Sequence, residues 1–323
     1  MHPAFEARGG RGGFRLAAWA TLLCYAAGAC FGAEPPSAER PVLLGDAKVG
    51  TQQVMSPEAQ RYRLSAESPT DAVLQAAIVD IDARLRAKHG ITAEQTAVGV
   101  LDLRTLRLAM IRPDAIDYAA SVPKIAILLA WFKLRPEVKL DAETRRELAL
   151  MIRKSDNALA TKYSKELGLT AIQGVLAAEG FYDAAHGGGI WIGKHYGKSD
   201  ERYVDPVGKH SHAATVRQLV RFYLRLEQGD LVSAEGSRTM REIFATPEIP
   251  HIEDKFVRGL AGRGLEIRRK AGWWETWAHD TAIVSGPGRH YILVALTHHA
   301  KGEEYLVELA AAVDDVLTGM KKG

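Results

Sequence analysis

Ile125, Ala126, Ile127, Leu128, Leu129, Ala130, Trp131 and Phe132 are apolar without interruption. A helix built from them has no side to offer water and must be enclosed by other elements. Such a chain needs several packed layers, not a lone bundle face. Directly ahead of the run stands Ser121-Val122-Pro123-Lys124, preceded by Tyr118-Ala119-Ala120. The spacing puts a hydroxyl and an amine one helical turn apart on one side. A lysine at the mouth of a buried helix is costly unless it has a partner or a task. An amine held dry loses much of its charge, so it can take the serine proton and create a nucleophile.

Ser-x-x-Lys by itself is a common spacing, and two further patterns give it weight. Lys154-Ser155-Asp156-Asn157 sits inside an amphipathic stretch, and Lys270-Ala271-Gly272 leads a segment that reads as a strand. Ser-x-x-Lys, Ser-Asp-Asn and Lys-x-Gly in that order form the signature of the penicillin-recognising serine enzymes. On these residues the chain resembles the class A β-lactamase and D,D-peptidase group. The likeness extends to Thr215–Phe244, which is similar to a helical segment of that family, and to His279-Asp280-Thr281-Ala282-Ile283-Val284, similar to its following strand. It spans roughly residues 70 to 320.

The resemblance implies a role for each residue of a serine acyl-transfer site. Ser121 is the expected nucleophile and Lys124 its base. Ser155 would pass a proton to the departing nitrogen, and Asn157 would hold the substrate amide and Lys124. Lys270 would bring positive charge to the strand edge beside Gly272, and the backbone amides of Ser121 and Trp273 would donate to the oxyanion. Asp156 is read differently, as a short carboxylate that fixes backbone geometry through local hydrogen bonds. The substrate so implied is a β-lactam or a D-Ala-D-Ala-like peptide, hydrolysed through an acyl-enzyme. A D,D-peptidase and a slowly acylating penicillin-binding or sensor protein are the alternatives.

Three departures from the family pattern matter. A class A enzyme clears its acyl-enzyme with a glutamate in the pattern Glu-x-x-Leu-Asn, and the nearest match here is Glu201-Arg202-Tyr203-Val204-Asp205. Glu201 is therefore a candidate deacylation base, with a solvated loop acid as the plain alternative. Ala271 stands where the family usually has a hydroxyl for the substrate carboxylate, and Trp277-Ala278-His279-Asp280 carries no arginine for the same task. Each lost charge-assisted hydrogen bond would cost about 1.5 to 3 kcal/mol. Strand alternation turns Arg268 to the same side as Lys270, making Arg268 the expected substitute anchor. Trp273, Trp274 and Trp277 suit either an aromatic wall for an apolar or sugar-like substrate or ordinary packing.

No metal or other cofactor is expected. His210-Ser211-His212 could hold a metal on an extended segment, but no acid or cysteine cluster completes a set with His186 and His195. The formal charge of +3 is small for 323 residues and the basic residues are dispersed, so nucleic acid is not an expected partner.

The expected fold is α/β (α+β), an antiparallel sheet built from N- and C-terminal segments, packed by helices, with an inserted all-helical lobe. Residues 1–33 read as a signal peptide, with Arg8, Arg11 and Arg15 before an apolar run from Leu16 to Phe31 and small residues ending at Ala33. An uncleaved anchor is the alternative. Cys24 and Cys30 both fall in this segment, and Cys30 after Ala27-Gly28-Ala29 leaves a lipid anchor as a minor option. The mature protein is thus expected to be periplasmic or secreted, to meet a membrane only through such a leader or anchor, and to be a monomer. Residues 34–70 read as a tether with little packed structure. The hydrolase domain covers 71–320, with an α/β lobe at about 71–120 and 253–320 and the helical lobe at about 121–252.

Within it, Val73 to Lys88 has helical spacing at Val73, Ala76, Ala77, Val79, Ile81 and Leu85. Thr96–Leu103 and Leu106–Ile111 read as a hairpin closed at Arg104-Thr105. Asp141–Leu167, opening with Asp141 as N-cap, and Thr170–Glu179 read as helices. Phe181–Ser211 reads as a long irregular loop. Ile267–Lys270, Thr281–Ser285 and Tyr291–Thr297 follow as strands, with a turn at Gly286-Pro287-Gly288. The helix Glu304–Leu317 ends the chain.

Overall fold

A computed structural model describes residues 55–319. The expected leader with its two cysteines, and the expected tether as far as residue 54, lie outside the described residues. Of the remainder of the expected tether, residues 55–64 pack against the domain, with Met55, Ala59 and Leu64 buried. Ser56 caps the short helix α1 (Pro57–Arg61), in which Ala59 is buried, and Leu64 is buried behind it. Gln228 Nε2 donates to the carbonyls of Ala59 and Tyr62 at 2.7 and 2.8 Å. A five-residue helix is too short to show a period, and its partner lies far along the chain, so local pattern misses it.

Helix α2 (Ala72–His89) is capped by Asp71, which accepts from Leu74 N at 2.7 Å. Its buried stripe is Leu74, Ile78, Ile81 and Leu85, while Val73 and Val79 face water. The helix is apolar on more than one side, so spacing alone could not choose the inner one. Strands β1 (Thr96–Asp102) and β2 (Leu108–Ile111) form the expected hairpin, with Val98 opposite Ile111 and Leu101 opposite Leu108. The connection is wider than a two-residue turn. Asp102 holds it by accepting from Arg104 N at 3.0 Å and Thr105 Oγ1 at 2.8 Å.

After the short strand β3 (Asp117–Tyr118) comes α3 (Lys124–Leu134), whose residues 124–131 are all buried. The stretch read as one helix from Asp141 is two, α4 (Ala142–Arg153) and α5 (Asn157–Leu167), followed by α6 (Leu169–Ala178). The long loop carries short strands at β4 (Tyr182–Asp183), β5 (Gly188–Gly189) and β6 (Trp191–Ile192), and β7 (His212–Ala214) follows it directly. Then follow α7 (Val216–Gln228), α8 (Ala234–Ala245), α9 (Lys255–Gly259), β8 (Glu266–Trp274), β9 (Trp277–Gly286), β10 (Arg289–His298) and α10 (Gly302–Thr318).

The main sheet runs β2-β1-β10-β9-β8, antiparallel throughout, so strands from both ends of the described chain meet as expected. One core joins α2, α9 and α10 to the sheet, and the other joins α3 to α8 to it. Although α7 falls within the expected helical lobe, it lies directly on β10 and β1. Gly99 permits that approach, since a Cβ there would stand 2.5 Å from Val216 Cγ1 and 2.8 Å from Val220 Cγ2. A second sheet, β3-β7-β6, ties the residues before Ser121 to the long loop. Among the described residues no helix is long and apolar enough to cross a membrane.

Candidate active site

Ser121 lies in the turn that enters α3, and the helix proper starts at Lys124 with Pro123 at its N-cap. Ala120, just before the serine, has φ +48°, a left-handed conformation that costs a non-glycine residue about 1 kcal/mol or more. The Lys124 side chain is fully buried, and its Nζ stands 3.2 Å from Ser121 Oγ.

Ser155 interrupts the helix expected from Asp141 to Leu167. It has φ +58°, and beyond it the Asp156 carboxylate caps α5 by accepting from Leu159 N at 2.9 Å. The break between α4 and α5 projects Ser155 into the site, while Asp156 takes the local structural part expected of it. Lys124 Nζ donates to Ser155 O at 2.5 Å, to Asn157 Oδ1 at 2.6 Å and to Ser155 Oγ at 3.2 Å. From the other side, Lys270 Nζ donates to Ser155 Oγ at 2.9 Å and to Ala271 O at 2.5 Å. Ser121, Lys124, Ser155 and Lys270 thus form one polar chain.

Gly272 allows β8 to come this close. A Cβ at that position would stand 2.7 Å from Ala119 O and 3.2 Å from Ser121 N. The two amides expected as oxyanion donors, those of Ser121 and Trp273, belong to the segments that this contact joins.

Burial pushes the Lys124 amine down to about 7, with the nearby Asp156 charge opposing. Lys270 is held well below its ordinary value by burial, and then by the positive charges of Lys124 and Arg269. Near neutral pH, Lys124 is therefore poised between proton donor and acceptor.

Two expected site residues are placed otherwise. Glu201 Oε2 pairs with His195 Nε2 at 3.1 Å, and His195 Nδ1 meets Ser164 Oγ at 2.8 Å. Its carboxylate is 44% exposed and fastens the loop to α5, and the acid whose charge bears on Lys124 is Asp156. Arg268 does share a side of β8 with Lys270, but it is buried and already paired, to Glu227 at 3.0 Å and Glu266 at 2.7 Å. A guanidinium with two carboxylates has no charge left for a substrate. Arg269 is likewise held by Asp280 at 2.7 Å and by Asp254.

Trp277 packs flat on His298 with ring centroids 3.9 Å apart, whereas Trp273 and Trp274 are 62% and 53% exposed at the end of the site strand. Of the loop histidines, His186 is exposed to solvent, but His195 and His212 are buried. His212 Nε2 faces Lys194 O at 3.0 Å, and burial pushes its imidazole down to about 4. No group of three His, Cys, Asp or Glu among the described residues could hold a metal ion. Tyr196 escaped sequence reasoning altogether. Its ring lies over Lys124, with Nζ 4.4 Å from the centroid, and no periodic pattern in an irregular loop could have flagged it.

The model of the beta-lactamase enzyme family matches residues 134–317, a stretch that holds Ser155, Asn157 and Lys270 and begins at the last residue of α3, after Ser121 and Lys124. No curated protein matches the chain. Among solved structures, a β-lactamase from Sphaerobacter thermophilus DSM 20745 is 16% identical, with 77% of this chain and 99% of that one aligned at a TM-score of 0.61. A class A β-lactamase from Mycobacterium abscessus is 17% identical over 74% of this chain and 98% of its own, with a TM-score of 0.58. A PBP-A variant, described as an acyl-enzyme complex with penicillin G, is 16% identical over 76% and 97%, with a TM-score of 0.59. At such identities the likeness to solved structures is one of fold.

Proposed function

The chain belongs to the beta-lactamase enzyme family, and from that premise we propose that Ser121 attacks the amide carbonyl of a β-lactam or a D-Ala-D-Ala-like peptide and becomes esterified. The observation that carries this reading is the chain from Ser121 Oγ through Lys124 Nζ and Ser155 Oγ to Lys270 Nζ, at 3.2, 3.2 and 2.9 Å. Neutral Lys124 takes the hydroxyl proton as the Ser121 oxygen forms its bond to carbon. Developing negative charge on the carbonyl oxygen is met by the amides of Ser121 and Trp273. When the C–N bond breaks, the proton passes from Lys124 through Ser155 Oγ to the departing nitrogen. Lys270 steadies Ser155 during that transfer, and Asn157 holds Lys124 and the substrate amide.

The second half-reaction decides between the members of this class. Water must be activated to clear the ester, and the candidate carboxylate of Glu201 is engaged with His195. That pairing favours slow clearance, the behaviour of a D,D-peptidase or a penicillin-binding protein, over fast β-lactam hydrolysis. The substrates named lie outside the cytoplasm, which agrees with export by the leader at 1–33 and with a periplasmic or secreted monomer.

Intact mass after incubation with penicillin G, read for the wild type and for Ser121→Ala, tests the nucleophile. An adduct on the wild type alone supports the reading, and equal labelling of both ends it. Turnover of a chromogenic cephalosporin, set against release of D-alanine from a peptide, then separates hydrolysis of lactams from peptidase action.

A further inference from the structure

We propose that Tyr196 is a positioning residue that braces both the general base Lys124 and the strained backbone beside Ser121. The inference rests on the acylation reading above. Lys124 Nζ has oxygen acceptors in Ser121, Ser155 and Asn157, and on another side it has the face of Tyr196 at 4.4 Å. The Tyr196 hydroxyl donates to Ala120 O at 3.1 Å, gripping the residue whose φ of +48° turns the chain into Ser121. One side chain therefore touches the base and the approach to the nucleophile.

Tyr196 is itself held. His212 lies against its ring with centroids 4.4 Å apart, and His212 O accepts from Ala119 N at 2.9 Å. The neighbouring His195 is fixed between Ser164 and Glu201. Burial raises the Tyr196 phenol well above its ordinary value, so it stays protonated and serves as a donor, not a base.

The ring also keeps water from the amine, and burial is the main cause of the low proton affinity of Lys124. A cation over an aromatic face is favoured, which works in the opposite direction but more weakly than full exclusion of water. Removing the ring should therefore raise the proton affinity of Lys124. The other titratable groups around this amine are Lys270 on β8, Asp156 at the start of α5 and His212 on β7, and Tyr118 on β3 bears on the Tyr196 phenol.

The test is the pH dependence of Ser121 acylation by penicillin G, followed by intact mass for wild type, Tyr196→Phe and Tyr196→Leu. Tyr196→Phe keeps the ring and should keep the pH midpoint of the wild type, losing about threefold to tenfold in rate with the Ala120 contact. Tyr196→Leu should move the midpoint upward by one pH unit or more and cost at least tenfold near pH 7. Tyr196→Leu acylating within threefold of the wild type at an unmoved midpoint overturns the proposal. If Tyr196→Leu does not fold, a midpoint displaced by more than one unit in Tyr196→Phe overturns it equally. Failure of the wild type to acylate at all would instead count against the assigned function, so the two failures are distinct.

Discussion

Lys270 donates to the hydroxyl of Ser155 at 2.9 Å across 115 residues of sequence. The same hydroxyl stands 3.2 Å from Lys124 on its other side. A serine between two buried amines that are both depressed from their ordinary values can pass a proton without either amine being a permanent cation.

Acylation should follow the neutral form of Lys124. Its amine titrates at about 7 in the folded protein, so the rate of adduct formation should climb about tenfold per pH unit below that value and level off above it. A rate constant independent of pH between 5 and 8 would remove Lys124 from the role of base.

The same depression carries a stability signature. Between about 7 and the ordinary value of 10.5 the unfolded chain binds the Lys124 proton and the folded chain does not. Stability from this group therefore rises with pH through that window and is penalised below it. Urea midpoints at pH 6.5 and 9 should show the wild type gaining on Lys124→Met as pH rises, and a constant difference would contradict the assignment.

Gly272→Ala should disable the site without altering its chemistry. The new Cβ would press on Ala119 O and Ser121 N, so either β8 or the serine turn must shift. The expected cost is about 1 to 3 kcal/mol of stability, with acylation reduced a hundredfold or more. Acylation within threefold of the wild type would show that the approach of β8 to Ser121 is not needed.

Glu201→Gln should leave the lifetime of the acyl-enzyme within twofold, because the carboxylate is directed to His195. Its part-exposed pairing should contribute at most about 1 kcal/mol to stability. A tenfold longer-lived adduct, followed by mass after penicillin is removed, would restore Glu201 as the deacylation base.

Arg268→Ala should lose about 1.5 to 3 kcal/mol, since it takes the guanidinium hydrogen bonds from the buried Glu227 and leaves it with His290 alone. The preference between penicillin G and its uncharged methyl ester should not move, because the guanidinium is already neutralised. That preference should itself be small, within about tenfold, given Ala271 in place of a hydroxyl. A large preference for the free acid that disappears in Arg268→Ala would return Arg268 to the substrate.

What the amino-acid sequence determined by itself is the local chemistry. An apolar run with no polar face dictated the buried α3, and a three-residue spacing put Ser121 within reach of Lys124. The order of three short motifs, and alternating segments at both ends, were enough for the antiparallel sheet and the family resemblance. These are matters of residue type and of distances within one or two turns, which the backbone sets wherever the segment lies. Only the tertiary structure decided which distant groups meet. Spacing put Arg268 on the right side of its strand, yet the buried Glu227 on α7 took its charge. Glu201 found His195, residues 55–64 found Gln228, and Tyr196 came to rest on Lys124. A charged or aromatic side chain acts on whatever packing brings within a few ångströms, and in an irregular loop no repeat in the sequence encodes that neighbour.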